Sequence, residues 1–390
     1  MKTTLALLAI SILLTSCTQH DESKLTVLNN AMAKDRFTLV KSGEIEIPLD
    51  STSFNFSHYP VYYTNDSVAY YVSGNEIINS IDFYDLKTRK LVRRNMYPTE
   101  GPDGLINTLK LFVKSLDSIY VYPTHPDLLK KDHAIVLTNF SGEILHRYPM
   151  PWLDRESWMT HLAAPLTIIG DNAYFSFMKY GDNRAQIQQR ALVEWNMKTG
   201  SYVAFGPQYP DAFKQYYYDD FTPIFALGYH NTFVVSFQSL PFVHGFNINR
   251  KDSIVDVPMR SQFQQKEIVP NKTITDAHDR DRDFEELGQG QYTQIQYDPF
   301  QLVYYYTYQD GIAIYNADGE KNSWDDKPIS IIIFNTAFEY CGEFQLPANT
   351  YMPNNFIPSK EGLLIPTSHP KNANNNEDIL HFDVFKLARL

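Results

Sequence analysis

The stretch IDFYDLKTRK, residues 81–90, is a short apolar strand that ends on an acidic residue and runs into a tight turn. The same form recurs as IVLTNFSGEI from 135, LVEWNMKTGS from 192, VHGFNINRKD from 243, IIIFNTAFEY from 331 and ILHFDVFKLA from 379. The residues that mark these strands are Asp85, Asn139, Asn196, Asn247, Asn335 and Asp383, separated by 54, 57, 51, 88 and 48 positions. Self-similarity at such a period signals a repeat architecture. The one long interval then carries an insertion of about thirty residues.

Each marker strand is preceded by two strands around a short turn, as in VYYTNDSVAYYV, LFVKSLDSIYVY and FALGYHNTFVVSF. Each is followed by a strand that often runs into proline: VRRNMYP, LHRYPMP, IVDVPM, EFQLP. The Gly, Asn, Asp and Ser between them accept turn geometry cheaply, so the unit has four strands. After the sixth marker no fourth strand follows, but GEIEIPLD, from Gly43, has its form and precedes the first unit. The expectation is an all-β fold: a six-bladed β-propeller with four antiparallel strands per blade. Its N-terminal strand closes the last blade and removes the open sheet edge. A seven-bladed ring with one degenerate blade and a pair of sandwich domains are the competing arrangements. The 27 Tyr and 25 Phe favour strands over helices.

Ahead of the repeats, Lys2 is followed by LALLAISILL and then LTSCTQHDE. About ten apolar residues is half of the roughly 20 a membrane-spanning helix needs, which describes a signal peptide. LTSC resembles the lipobox of bacterial lipoproteins, in which the cysteine becomes the acylated N-terminus, so Cys17 is the expected lipidation site. QHDE, residues 19–22, resembles a signal that sends Bacteroidetes lipoproteins to the outer face of the outer membrane. The expected division is a signal peptide over 1–16, a lipidated tether over 17–35 and a single propeller over 36–390. The expected place is the outer membrane, at the cell surface or else facing the periplasm, with lipid as the only membrane contact. Cys341 then has no disulfide partner and reads as a core residue. In overall plan, and in TEGPDGLINTLKLF with Glu100, Gly101, Pro102 and Gly104, the chain is similar to Bacteroidetes lipoproteins of unknown function with a six-bladed, TolB-like propeller. That resemblance implies location and fold and carries no activity.

Formal net charge is −11, and −12 once the segment holding Lys2 is removed, which argues against nucleic acid as a partner. Turns between first and second strands, and between third and fourth, are short in every unit, so one face of the ring is low. The long connections rise on the other face, where binding residues are expected. There Trp152, Trp158, His161, Tyr216, Tyr217 and Tyr218 offer aromatic faces with polar tips to a glycan or an envelope protein, with His125 and His369 on neighbouring loops. DAHDRDRDFEE, residues 276–286, alternates acids but lacks the glycine and terminal glutamate of a calcium loop. Three Asp-Ser-apolar triplets, from Asp66, Asp117 and Asp252, resemble a Bacteroides O-glycosylation acceptor and equally suit turns. No H-E-x-x-H, G-x-S-x-G, phosphate loop or paired-cysteine zinc motif is present, and no catalytic residue, metal or cofactor is assigned. Carboxylates such as Asp103, Asp154, Glu156 and Asp219 await a geometry. Two readings follow: a non-catalytic binding or scaffold protein, or a propeller hydrolase or lyase on carbohydrate or lactone-like substrates, assisted by a divalent cation.

Overall fold

The computed structural model describes residues 29–57, 59–101, 103–105, 110–122, 134–150, 157–159, 166–179, 190–217, 223–270, 272–273, 284–353 and 355–390. Six antiparallel sheets of four consecutive positions each account for nearly all the strands. From the inner strand outward, blade 1 holds Val61–Thr64, Ala69–Asn75, Ser80–Asp85 and Lys90–Met96. Blade 2 holds Leu111–Ser115, Ser118–Val121, Ala134–Thr138 and Ile144–Pro149, and blade 3 holds Thr167–Ile169, Asn172–Lys179, Arg190–Asn196 and Tyr202–Gln208. Blade 4 runs Pro223–Leu227, Thr232–Phe237, Phe242–Asn247 and Val255–Pro258. Blade 5 runs Gln291–Asp298, Val303–Gln309, Ile329–Asn335 and Tyr340–Gln345. Blade 6 takes Ile357–Pro358, Leu363–Pro366 and Ile379–Arg389 from the end of the chain and Phe37–Pro48 from its beginning. The seven-bladed and two-sandwich alternatives are thereby excluded.

The ring is held by six apolar clusters, each wedged between neighbouring blades. Phe83 and Ile81 of blade 1 meet Ile119 and Val136 of blade 2, for example, and Tyr71 and Tyr84 meet Leu364 and Phe382 of blade 6. A strand inside a blade therefore buries both faces. In Ile329–Asn335 the odd isoleucines face blade 6, while Ile332 and Phe334 face blade 4. This is why the marker strands read as continuous apolar runs and do not alternate.

The marker residue has a local cause. Oδ1 of Asp85 accepts the N–H groups of Lys87 and Thr88, and Asn196 accepts those of Lys198 and Thr199. Asn139, Asn247 and Asn335 act alike towards Glu143, Asn249 and Ala337. Each closes the turn into its outer strand with a side chain that mimics backbone. Asp383 departs from this role. It lies inside an unbroken strand, is buried, accepts the Tyr351 hydroxyl at 2.6 Å and pairs with Lys41 at 2.8 Å. There is no turn to cap, because the outer strand of blade 6 arrives from the other end of the chain.

That closing strand pairs along its whole length with Ile379–Arg389. A bulge between Lys41 and Gly43 shifts the register by one residue. The shift reverses which side chains face which neighbour, so Leu39 packs towards blade 5 while Ile45 and Ile47 pack towards blade 1. The last part of the segment expected as tether is itself docked. Asn30 exchanges two hydrogen bonds with the backbone of Arg260, Ala31 and Ala33 bridge to Tyr340, and Arg36 donates to the Cys341 carbonyl. The signal peptide, Cys17 and QHDE lie outside the described residues. The insertion between blades 4 and 5 is tied to its surroundings: Lys272–Thr273 pairs with Tyr216–Tyr217, and Ser261 and Gln262 donate to buried Glu343.

Candidate functional site

The inner strands surround the axis of the ring and leave a cavity of about 540 Å³. All six blades contribute to its wall: Tyr62 and Tyr63, Phe112 and Lys114, Thr167, Ala226 and Leu227, Gln294 to Tyr297, and Asn355 to Pro358. At the end towards the long connections the described wall residues Leu111, Tyr122, Thr167, Asn355 and Phe356 are buried. At the other end Thr64, Leu227, Tyr297 and Phe300 are partly exposed and Lys114 is exposed. Among the described residues the cavity therefore has a mouth on the short-turn face, while at the other end wall residues Tyr59 and Pro60 are also partly exposed. Tyr62 shapes that mouth, its ring edge-on to Phe300 at 6.2 Å and its hydroxyl accepting the Lys360 N–H at 3.2 Å.

The wall is mostly aromatic and aliphatic, with a few polar atoms that the protein leaves without partners. Oε1 of Gln294, Oε1 of Gln296 and Nδ2 of Asn355 are buried and make no hydrogen bond within the protein. Gln294 and Gln296 are alternate residues of one strand and so share a face. Lys110, immediately before the inner strand of blade 2, is 1% exposed, and its Nζ likewise has no hydrogen-bond partner. The amine sits 4.5 Å from the ring centroid of Tyr59, itself a wall residue, and the Lys110 carbonyl accepts the N–H of wall residue Tyr122. Burial pushes the Lys110 pKa well below that of an ordinary lysine. Burial also pushes the Tyr122 phenol up to about 12 and raises that of Tyr59, so both stay protonated at neutral pH. Buried polar groups are almost always paired, and these unpaired atoms are closed to solvent beside the cavity and do not face into it; Lys110 lies behind the wall and does not line the cavity. Among the described wall residues there is no histidine, carboxylate or cysteine.

Of the residues expected on the long-loop face, His125, Trp152, His161 and Tyr218 lie outside the described residues, as do the expected lipidation site Cys17 and most of the acidic stretch from 276. Trp158 belongs to Ser157–Met159, which pairs with the second strand of blade 3, and Tyr216 and Tyr217 belong to the two-residue pairing already described. His369 is buried in the long loop of blade 6. Its Nε2 donates to the Asp325 carbonyl at 3.0 Å, and its Nδ1 accepts the Lys371 N–H at 3.0 Å. Asp325 and Asp326 lie close enough to complete a metal-ligand trio. However, both imidazole nitrogens are committed, and Lys371 already neutralises Asp326 at 2.5 Å. The second acidic trio, Glu44, Glu46 and His381, is on the surface, where Lys41 bridges Glu44 at 2.5 Å and Asp383 at 2.8 Å. Lys371 thus offsets one of the two carboxylates of the first cluster, whose Asp325 Oδ1 stays buried without a partner, and Lys41 is shared between Glu44 and Asp383 at the second.

Sequence reasoning passed over the cavity residues, although one signal was present: QIQ in YTQIQYDPF places glutamines at alternate positions of the inner strand of blade 5.

The profile of the domain of unknown function DUF4221 matches residues 36–345, most of the chain. The protein belongs to the DUF4221 family. A DUF4221 member from Bacteroides vulgatus shares its fold at a TM-score of 0.76, with 19% identity over 92% of this chain and 100% of that one. A putative exported protein from Bacteroides fragilis aligns at a TM-score of 0.55, with 9% identity over 90% of this chain and 95% of that one. No curated protein sequence matches. The DUF4221 propeller is thus established by profile, fold and topology together, and its chemistry must be read from the cavity.

Proposed function

We propose that this DUF4221 propeller is a non-catalytic binding protein of the bacterial cell envelope that takes a small polar ligand in its axial cavity. One observation carries the reading: an axial cavity walled by aromatic and amide side chains in which the described residues include no acid–base pair. Hydrolysis or elimination on a carbohydrate needs positioned acids and bases. Recognition needs only the surfaces present: aromatic faces for stacking and a few fixed polar atoms for orientation. The lipobox at Cys17 supports anchoring, and the B. fragilis fold neighbour, described as exported, fits a protein that leaves the cytoplasm.

The test is calorimetric titration of neutral and acidic mono- and disaccharides, with and without calcium and chelator, into the mature chain and a Val113→Trp variant. Val113 is a partly exposed wall residue, so an indole there fills part of the cavity; because it also packs against the core between blades 1 and 2, the melting temperature of the variant is the control. Binding to the wild type that is lost in a Val113→Trp protein of unchanged melting temperature supports the reading. Binding that survives the plug moves the site to the long-loop face of Trp152, Trp158 and Tyr216 to Tyr218, and turnover of any bound sugar overturns the non-catalytic reading.

A further inference from the structure

The mouth of the cavity differs from one side to the other. Turns between the first and second strands of the blades surround it, and four of them carry exposed charges: Asp66 in blade 1, Asp117 in blade 2, Asp171 in blade 3, and Lys360 with Glu361 in blade 6. The turns of blades 4 and 5, residues 228–231 and 299–302, hold no Asp, Glu, Lys or Arg. Asp298, which closes the blade 5 turn by accepting the Phe300 and Gln301 N–H groups, is fully buried. What these two turns show to water is Tyr229, 40% exposed, and Leu302, 49% exposed, beside the neutral polar side chains of Asn231 and Gln301. Leu302 holds a φ of +55°, a left-handed conformation that glycine or asparagine adopts at lower cost. Folding gives no reason for a leucine at a place that strains it and leaves half its side chain in water. The surface is continuous with the cavity, since Pro299 and Phe300 are themselves wall residues. Wall residue Tyr297 has its ring 5.0 Å from that of Tyr304, whose hydroxyl accepts the Tyr229 N–H at 3.3 Å.

We propose that the ligand of the axial cavity is the end of a neutral oligosaccharide, whose following units leave by the short-turn mouth and lie across the turns of blades 4 and 5. This rests on the cavity being the binding site. The volume of about 540 Å³ is that of a small-molecule site, so a longer chain continues outside it. Exposed apolar groups that adjoin a cavity mark a surface of interaction. Sugar rings lay flat C–H faces on an aromatic ring such as that of Tyr229, whose hydroxyl stays wet. Their hydroxyls donate and accept, which matches the amides of Asn231 and Gln301. A chain of acidic sugars finds no cation on these two turns to pair with.

Maltose, cellobiose, mannobiose and xylobiose, each with its hexasaccharide, and digalacturonate with hexagalacturonate are titrated calorimetrically into the mature chain. In a neutral series the hexasaccharide binds about ten- to a hundred-fold tighter than its disaccharide, and the acidic series shows no such gain. Tyr229→Ala and Leu302→Asn each remove roughly three- to ten-fold of the hexasaccharide affinity and leave the disaccharide unchanged. Leu302→Asn also relieves the left-handed leucine, so its melting temperature holds or rises by about 1–3 °C, which separates loss of a contact from loss of the fold. The inference is overturned if disaccharide and hexasaccharide bind alike, if the two variants weaken both equally, or if the acidic hexasaccharide gains as much as a neutral one. It is also overturned if no neutral hexasaccharide binds at roughly 10 mM, which leaves the surface to a protein partner. The two levels fail separately. A disaccharide that binds the wild type and not Val113→Trp, with a hexasaccharide no tighter, keeps the cavity as the site and removes the extended chain; a hexasaccharide that binds Val113→Trp undiminished removes the cavity itself.

Discussion

Ile47 is the residue on which to test whether the N-terminal strand closes the ring. It is fully buried between blades 6 and 1 and pairs in register with Leu380. Ile47→Ala deletes three carbons from that interface. At about 0.8 kcal/mol per buried methylene the transfer loss is roughly 2.4 kcal/mol. The unfilled space adds to it, because the strand is hydrogen-bonded along its length and cannot collapse inward, giving about 3–4 kcal/mol in all. The assay is urea unfolding followed by tryptophan fluorescence and circular dichroism. With a denaturant slope of at least about 3 kcal/mol/M, expected for a domain of this size, the midpoint falls by up to roughly 1 M with the slope unchanged. Glu46→Ala, next along the chain on the exposed face of the same strand, changes stability by less than about 0.5 kcal/mol. Leu39→Ala, on the other side of the bulge, behaves like Ile47→Ala although it faces blade 5. An Ile47→Ala cost below about 1 kcal/mol would refute the closure, since blade 6 would then be complete without its N-terminal strand.

Further expectations concern groups away from the cavity. Arg94 donates to both oxygens of the 1%-exposed Asp82 at 2.7 and 2.9 Å and to Asp50 at 2.8 Å, so Arg94→Met strands a buried charge and costs about 3–5 kcal/mol. Adding Asp82→Asn recovers much of that loss, and a double-mutant cycle in urea measures the coupling. Glu343 has its pKa raised by burial, against hydrogen bonds from Ser261, Ser330, the Gln262 N–H and Tyr340 that lower it. A raised carboxyl contributes stability that is full below its unfolded value and is lost as pH climbs through the folded one. The wild type should therefore lose stability relative to Glu343→Gln as pH rises above about 4.5, read as paired melting curves between pH 4 and 8; a constant offset refutes this. Cys341 is 1% exposed, and burial raises its thiol pKa, so a thiol reagent modifies it only on the timescale of global unfolding. Rapid labelling of the folded protein would show that the interface between blades 5 and 6 opens locally.

The blades were legible because their cause is local. An Asp or Asn that accepts the N–H groups of the following turn leaves the same mark wherever a third strand turns into a fourth, and both-face burial between blades makes each such strand apolar throughout. Asp383 bears the mark without the function: the same letters occur where the partner strand comes from the other end of the chain, and only the pairing with Phe37–Pro48 distinguishes the two cases. Closure by GEIEIPLD could be read because a missing strand and a spare one match in form. The bulge that turns Leu39 and Ile47 to opposite neighbours could not, since register is decided by packing on both sides.

The cavity is the reverse case. Lys114, Gln294, Gln296 and Asn355 stand far apart in sequence on three blades, and each alone reads as an ordinary surface or strand residue. What unites them is closure of the ring, which brings six inner strands around one axis. The sequence by itself determined the number of blades and the strands of each, because turn chemistry and apolar runs act through neighbours along the chain. Only the tertiary structure decided which residues wall the axial cavity, because that wall exists only in the assembled ring.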